Sequence, residues 1–361
     1  MKRLIISNTH YQTIFAIQLK LTLFKDDEVV LIISDHSKNS EMVCENLKEL
    51  NLFSEVCYVF SREILYSNDK NKQWKDFINF SIMKNNRYKF YLEKIGDCYF
   101  DEIISFNLES DIYGLYYILS EKNKEVKLSM MEEGIFTYSN KLESSKKLNL
   151  ANNIRKRIKK ENIYGALENF YCFYPQIYEG DFNAVGVPLI NNKSECTSIL
   201  RKIFNLKENS NIYDRKYIFF TSVFDFEGGK SIGEFELVKK TAELVGKDNL
   251  IVKTHPRDRR TIYKENGFYV DINSSIPWEV IQLTYDFSSN VFLSATSGSV
   301  LSGSFMSENP IRTYYLYKLC DLQENEKARI AVNNINNLIN NEKMKDIFKS
   351  VSMPERIEDI L

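Results

Sequence analysis

Short apolar runs alternate with longer amphipathic segments along this chain. A strand is predicted over residues 4–7, followed by a helix over 9–23 in which Ile14, Ile17 and Leu21 recur on one face. The succession repeats, with strands over 29–34 and 56–60 and a helix over 40–50 between them. A mixed, partly helical stretch runs to about residue 94. A strand over 102–106, a helix over 110–120 and a strand over 126–131 follow. A basic helix is predicted over 144–160. The segment 180–188, Gly-Asp-Phe-Asn-Ala-Val-Gly-Val-Pro, concentrates turn formers and is read as a linker. Beyond it strands are predicted over 217–222, 250–253, 268–270, 291–294 and 312–316. Helices are predicted over 232–245, 277–283 and 324–341, with a further helical segment after residue 299. Strand–helix alternation of this kind builds mostly parallel sheets with helices on both faces.

Length turns that alternation into two domains, because 361 residues exceed the usual single core. The reading is an α/β chain of two Rossmann-like domains, 1–185 and 186–361, facing a central cleft that would hold the ligand. Lys+Arg 48 against Asp+Glu 49 lacks the basic excess of a nucleic-acid binder. The six cysteines have no CxxC spacing and read as free thiols in a reducing compartment. The first apolar run is too short for a signal peptide, and no stretch is apolar for long enough to span a bilayer. The expected location is therefore cytoplasmic, or peripheral to the inner face of the membrane. Arg155-Lys156-Arg157-Ile158-Lys159-Lys160 reads as a solvated helix face, or as a contact with anionic lipid or an anionic acceptor.

Candidate chemistry gathers where predicted strands end. Lys253-Thr254-His255-Pro256 follows the apolar run 249–252, and His255 is one of only three histidines. Folds of this class place ligands at strand carboxyl ends, and an imidazole there can bind or protonate a phosphate. A loop histidine held by a local hydrogen bond accounts for the tetrapeptide equally well. Glu132-Glu133-Gly134 follows the strand over 126–131. One carboxylate of such a pair can act as a general base while the other turns back and is satisfied locally, although acidic turns are common on any surface. Ser294-Ala295-Thr296-Ser297-Gly298-Ser299 offers hydroxyls and backbone N–H groups at a helix start, more than a simple N-cap needs. Glu279, in Ser275-Ile276-Pro277-Trp278-Glu279, is either a ribose contact or an acid favoured by the helix dipole. Asp225-Phe226-Glu227-Gly228-Gly229 has the look of an acidic metal pair. That reading is set aside for want of a third ligand nearby, and its glycines are read as letting backbone approach a ligand.

Taken in order, these pieces resemble the bacterial sialyltransferases, in particular glycosyltransferase family 52 of lipooligosaccharide and capsule sialyltransferases. The resemblance rests on Glu132-Glu133-Gly134, on Lys253 to Pro256, on Thr296-Ser297 and on Ile276 to Glu279. It extends to Ser7-Asn8-Thr9-His10-Tyr11-Gln12, which looks like the family's first strand-loop. It implies a GT-B-like fold and an inverting, metal-independent transfer of sialic acid from CMP-sialic acid, with no cofactor. The acceptor it implies is a galactose-ended oligosaccharide or glycolipid of a capsule or lipooligosaccharide. By the same resemblance Glu133 is the base and His255 meets the CMP phosphate. Thr296, Ser297 and Gly298 bind that phosphate, and Lys253, Pro256 and Glu279 complete the nucleotide contacts. Asn8, Gln12 and Glu132 face the acceptor, and relatives imply a homodimer. Two departures stand out: Glu133 replaces the Asp of many relatives, and His10-Tyr11 replaces Pro-Leu. Two other readings keep the scaffold, namely a hexosyltransferase using a nucleotide diphosphate sugar and a non-catalytic nucleotide- or glycan-binding protein.

Overall fold

The β-branched and apolar runs become the strands of two all-parallel sheets. The computed structural model describes residues 1–61, 89–96, 99–106, 110–134, 137–138, 146–159, 163–180, 182–206, 211–273 and 276–361. Most of the mixed stretch before residue 94, the outer ends of the predicted basic helix and Ser275 lie outside the described residues. Two compact units divide the chain, Met1–Pro188 with Lys202–Phe204 and Leu189–Arg201 with Asn205–Leu361.

The first unit carries β1 (Lys2–Ser7), β2 (Glu28–Ser34), β3 (Glu55–Val59), β4 (Glu102–Ser105), β5 (Lys127–Met131), β6 (Leu167–Cys172) and β7 (Asn183–Gly186). Its sheet runs β3-β2-β1-β4-β5-β6-β7. Helices α1 (His10–Leu21), α2 (Ser40–Glu49), α3 (Lys89–Ile95), α4 (Ser110–Leu119) and α5 (Lys146–Lys159) belong to the same unit. Leu4, Ile5, Ile6, Leu31, Ile32, Ile103, Ile104 and Leu128 are fully buried, as parallel strands covered on both faces require. The turn formers expected as a linker instead include the edge strand β7, which pairs in register with β6 from Asn169↔Asn183 to Cys172↔Gly186.

The second unit carries α6 (Glu195–Ile203) over most of its length, then β8 (Tyr217–Phe220), α7 (Glu234–Val245), β9 (Leu250–Lys253), α8 (Ile262–Glu265) and β10 (Tyr269–Val270). Then come α9 (Trp278–Thr284), β11 (Val291–Ser294), α10 (Ser299–Met306), β12 (Arg312–Tyr315), α11 (Glu326–Ile339) and β13 (Val351–Ser352). The sheet order is β10-β9-β8-β11-β12-β13. Both orders reverse direction at one point, between β1 and β4 and between β8 and β11. Doubly wound sheets bind ligands at the carboxyl ends of the strands flanking that point. The architecture is α/β and GT-B-like, as expected from the alternation of elements.

Candidate active site

Each unit gathers a polar cluster at its switch point. In the first unit β1 ends at Ser7 and the chain turns through Asn8 and Thr9 into α1. Thr9 is the N-cap, in extended conformation at φ −129°, and its hydroxyl accepts from the Gln12 N–H at 3.3 Å. The same hydroxyl donates to Glu133 Oε1 at 3.1 Å. One threonine thus caps the helix and orients a carboxylate that follows β5.

Glu132 and Glu133 share a turn but not an environment. Glu132 is completely buried. The Tyr11 and Tyr138 hydroxyls donate to its two oxygens, and the Phe173 N–H donates to Oε2 at 2.9 Å. Burial pushes its pKa up to about 7, against the pull of those three donors. Glu132 therefore anchors the turn, both its oxygens taken up by protein donors. Glu133 is half-buried, and its pKa is raised by burial and drawn back by Thr9 and Gln12. Gly134 sits at φ +81°, a conformation that favours glycine and turns the chain away behind the carboxylate.

Gln12 is fully buried, with Oε1 accepting from the Asn8 N–H at 2.6 Å. Its amide nitrogen bears on Glu133 without completing a hydrogen bond to any group among the described residues. Asn8 is buried, and its side-chain oxygen accepts from Ser34 at 2.8 Å. Asn8 thereby braces the strand-loop against the end of β2.

In the second unit the cluster spans the ends of β9, β8 and β11. His255 is half-buried two residues past β9. Its backbone N–H donates to Thr221 Oγ1 at 3.1 Å, just past β8. Its Nδ1 accepts from the Arg257 N–H at 3.1 Å, which assigns the proton of the neutral ring to Nε2. Burial and the nearby Arg257 charge lower its pKa. The ring is thus neutral near pH 7, with an Nε2–H to donate. Pro256 follows, exposed. Arg257 pairs with Glu227 at 3.1 Å, and Arg260 grips Asp258 through two hydrogen bonds of 2.9 and 2.7 Å. Lys253 is buried against Asp271, with Nζ 3.2 Å from Oδ2. An ammonium so placed closes the strand end against Asp271.

After β11, Ser294 Oγ accepts from the Ser297 N–H at 2.8 Å and donates to the Phe220 carbonyl at 2.9 Å. This serine joins the hydroxyl turn to β8. Thr296 is buried, yet its hydroxyl has no hydrogen-bond partner among the described residues. Ser297 is buried beside it. A Cβ added to Gly298, the N-cap of α10, would meet open space. A small turn with an unsatisfied hydroxyl at a helix start fits an oxyanion. Glu279, in the first turn of α9, accepts from Ser302 of α10 at 2.6 Å, which fixes it to the same helix.

Three positioning groups escape a reading of the chain by motif. Thr9 carries its signal in the Thr-x-x-Gln spacing of a helix start, but its bond to Glu133 spans 124 positions. Thr221 has no local signature. Glu234, buried in the first turn of α7, accepts from the Ser222 N–H at 2.8 Å and so holds the segment that carries Thr221. The acidic loop after β8 also differs from expectation. Asp225 accepts from the Glu234 and Phe235 N–H groups at 3.0 and 3.1 Å and caps α7. Gly228 and Gly229 have positive φ and pack on Glu324, Asn325 and Lys327, so their close approach is to protein and not to a ligand.

A family model described as alpha-2,8-polysialyltransferase (POLYST) matches residues 3–301. No curated protein matches the sequence. Among solved structures, a UDP-N-acetylglucosamine 2-epimerase is similar at 11% identity and TM-score 0.50, over 100% of this chain and 93% of that one. An alpha/beta-galactoside alpha-2,3-sialyltransferase from Photobacterium phosphoreum is similar at 14% identity and TM-score 0.47, over 99% and 98%. The calicheamicin glycosyltransferase CalG4 is similar at 9% identity and TM-score 0.48, over 99% and 88%. At these identities, structural likeness speaks to fold alone.

Proposed function

The chain belongs to the alpha-2,8-polysialyltransferase family, and from that premise we propose that it moves sialic acid from CMP-sialic acid to a glycan hydroxyl with inversion and without a metal. A glycosyltransferase of the sialyltransferase type is the level the family match establishes. The donor, the stereochemistry and the residue roles are our reading. The observation that carries it is the Glu133 carboxylate, half-buried and fixed by Thr9 at 3.1 Å, with its pKa raised by burial.

In this reading Glu133 takes the proton of the acceptor hydroxyl as its oxygen attacks the anomeric carbon. The bond from that carbon to the phosphate oxygen breaks, and CMP leaves with the electron pair. The sugar passes through an oxocarbenium-like state, as in glycoside hydrolysis. Charge accumulates on the phosphate, where the His255 Nε2–H and the unsatisfied Thr296 hydroxyl would donate hydrogen bonds. Ser297 and Gly298 shape that turn, and Pro256 and Glu279 are assigned to the nucleotide. Gln12, with its spare amide N–H, is assigned to the acceptor oxygen beside Glu133. A phosphate monoester leaving group lacks the pyrophosphate that commonly calls for Mg²⁺.

The family's description points to a sialic acid end as acceptor, whereas the motif resemblance points to a galactose end. One assay separates them. The enzyme is incubated with CMP-sialic acid in EDTA, with lactose or with a sialic acid-terminated oligosaccharide, and the products are weighed by mass spectrometry. CMP release with a mass gain of one or more sialyl residues on either acceptor supports the proposal and names the acceptor. Stabilisation against heat by UDP and not by CMP would replace it with a hexosyltransferase, and CMP binding without turnover on any acceptor would replace it with a binding protein.

A further inference from the structure

Helix α5 (Lys146–Lys159) has no part in either cluster, and its composition is unusual for this molecule. It carries six cations and no acid. With Lys160 the segment holds seven positive charges, and since the whole chain has a formal net charge of −1, the remainder stands at −8. One face of the helix is fastened to the fold. Arg155 is buried, with its guanidinium 3.8 Å from the Tyr117 ring centre. Asn152 is buried and accepts from the Tyr117 hydroxyl at 3.2 Å and from the Ile163 N–H at 3.3 Å.

Leu150, Asn153, Lys156 and Arg157 are exposed, and their spacing of three and four residues puts them on one stripe. Leu150 shows 52% of its surface to solvent. Neither Lys156 nor Arg157 forms an ion pair among the described residues.

We propose that this face of α5 docks on an anionic phospholipid surface. The occupant is chosen by two features together. Lys156 and Arg157, on a helix without acids, attract any polyanion, but an exposed leucine about two turns away on the same stripe gains only where an apolar layer lies under the charge. The negative remainder of the chain is repelled by the same surface, which turns α5 toward it. Arg155 and Asn152 hold the helix to the fold, so the stripe is presented without a cost of ordering. This docking is independent of the donor and of the residue roles proposed above.

Cosedimentation of the full chain with vesicles tests it. Binding to phosphatidylcholine–phosphatidylglycerol vesicles at low salt is expected, with none to phosphatidylcholine alone and loss as salt rises. Each basic side chain near such a surface changes partition by roughly fivefold, so Lys156→Glu with Arg157→Glu should weaken binding by at least about a hundredfold. The milder pair Lys156→Gln with Arg157→Gln should give a smaller loss, and serves if charge reversal harms folding. Leu150→Gln should also weaken binding. Transfer to a soluble acceptor should survive in all of these. Absence of binding, binding unchanged in both double variants, or binding insensitive to Leu150→Gln and displaced by soluble oligosialic acid would overturn the proposal, the last in favour of an acceptor-chain surface.

Discussion

Thr9 joins a helix start to a carboxylate, so a single hydroxyl has two measurable duties. Thr9→Val should cost about 0.5–2 kcal/mol of stability through the lost cap. It should also lower kcat with little change in donor KM, because the donor contacts proposed here lie in the other unit. Urea titration and steady-state kinetics separate the two effects. Burial also sets a pH signature. The Glu132 pKa is pushed up to about 7 and that of Glu234 to about 8. A folded pKa above the unfolded one means the native state binds more protons. Stability from these acids is full below the unfolded value, near 4.5, and is lost as pH rises through about 7 and about 8. Urea midpoints should fall between about pH 5 and about pH 9, and Glu234→Gln should flatten the upper part of that slope. A midpoint that stays level across this range would show both acids ionised in the fold.

Between elements, α9 and α10 cross closely beside the hydroxyl turn. A Cβ on Gly303 would fall 2.0 Å from Gln282 Oε1, the atom that accepts from Trp278 Nε1 at 3.0 Å. Gly303→Ala should destabilise by about 1–3 kcal/mol, as overpacking does, and disturb the Ser302–Glu279 bond one residue away. A thermal melt checks the first effect, and CMP affinity the second. The sheets show what pattern alone could reveal. Strands β1, β2, β8, β9 and β11 are short apolar runs, buried on both faces, and stand out in the chain. Strand β6 begins with Leu-Glu-Asn and β7 is Asn-Ala-Val-Gly, so neither has the composition of a buried strand. Both are held by pairing at one side of their sheet, a tertiary effect that no local window contains. The candidate site divides the same way. Glu133, His255 and Thr296 were legible because each follows an apolar run at a turn. The partners of Glu132, Asn8 and Lys253 were not, because Tyr138, Ser34 and Asp271 reach them only through the fold.

At the scale of the whole molecule, a GT-B-like pair of units in a chain of the polysialyltransferase family carries two polar clusters, one in each unit, to which we assign the chemistry. The first offers a carboxylate whose proton affinity burial has raised, the second a neutral imidazole and an unsatisfied hydroxyl. If both serve one transfer, removing either functional group should halt turnover while leaving the fold intact. The most direct measurement is the rate of CMP release from CMP-sialic acid, with acceptor and EDTA present, for Glu133→Gln beside the native chain. Loss of at least about a hundredfold in kcat, with stabilisation by CMP preserved, is the predicted result. A Glu133→Gln enzyme that turns over at the native rate would contradict the assignment of the base.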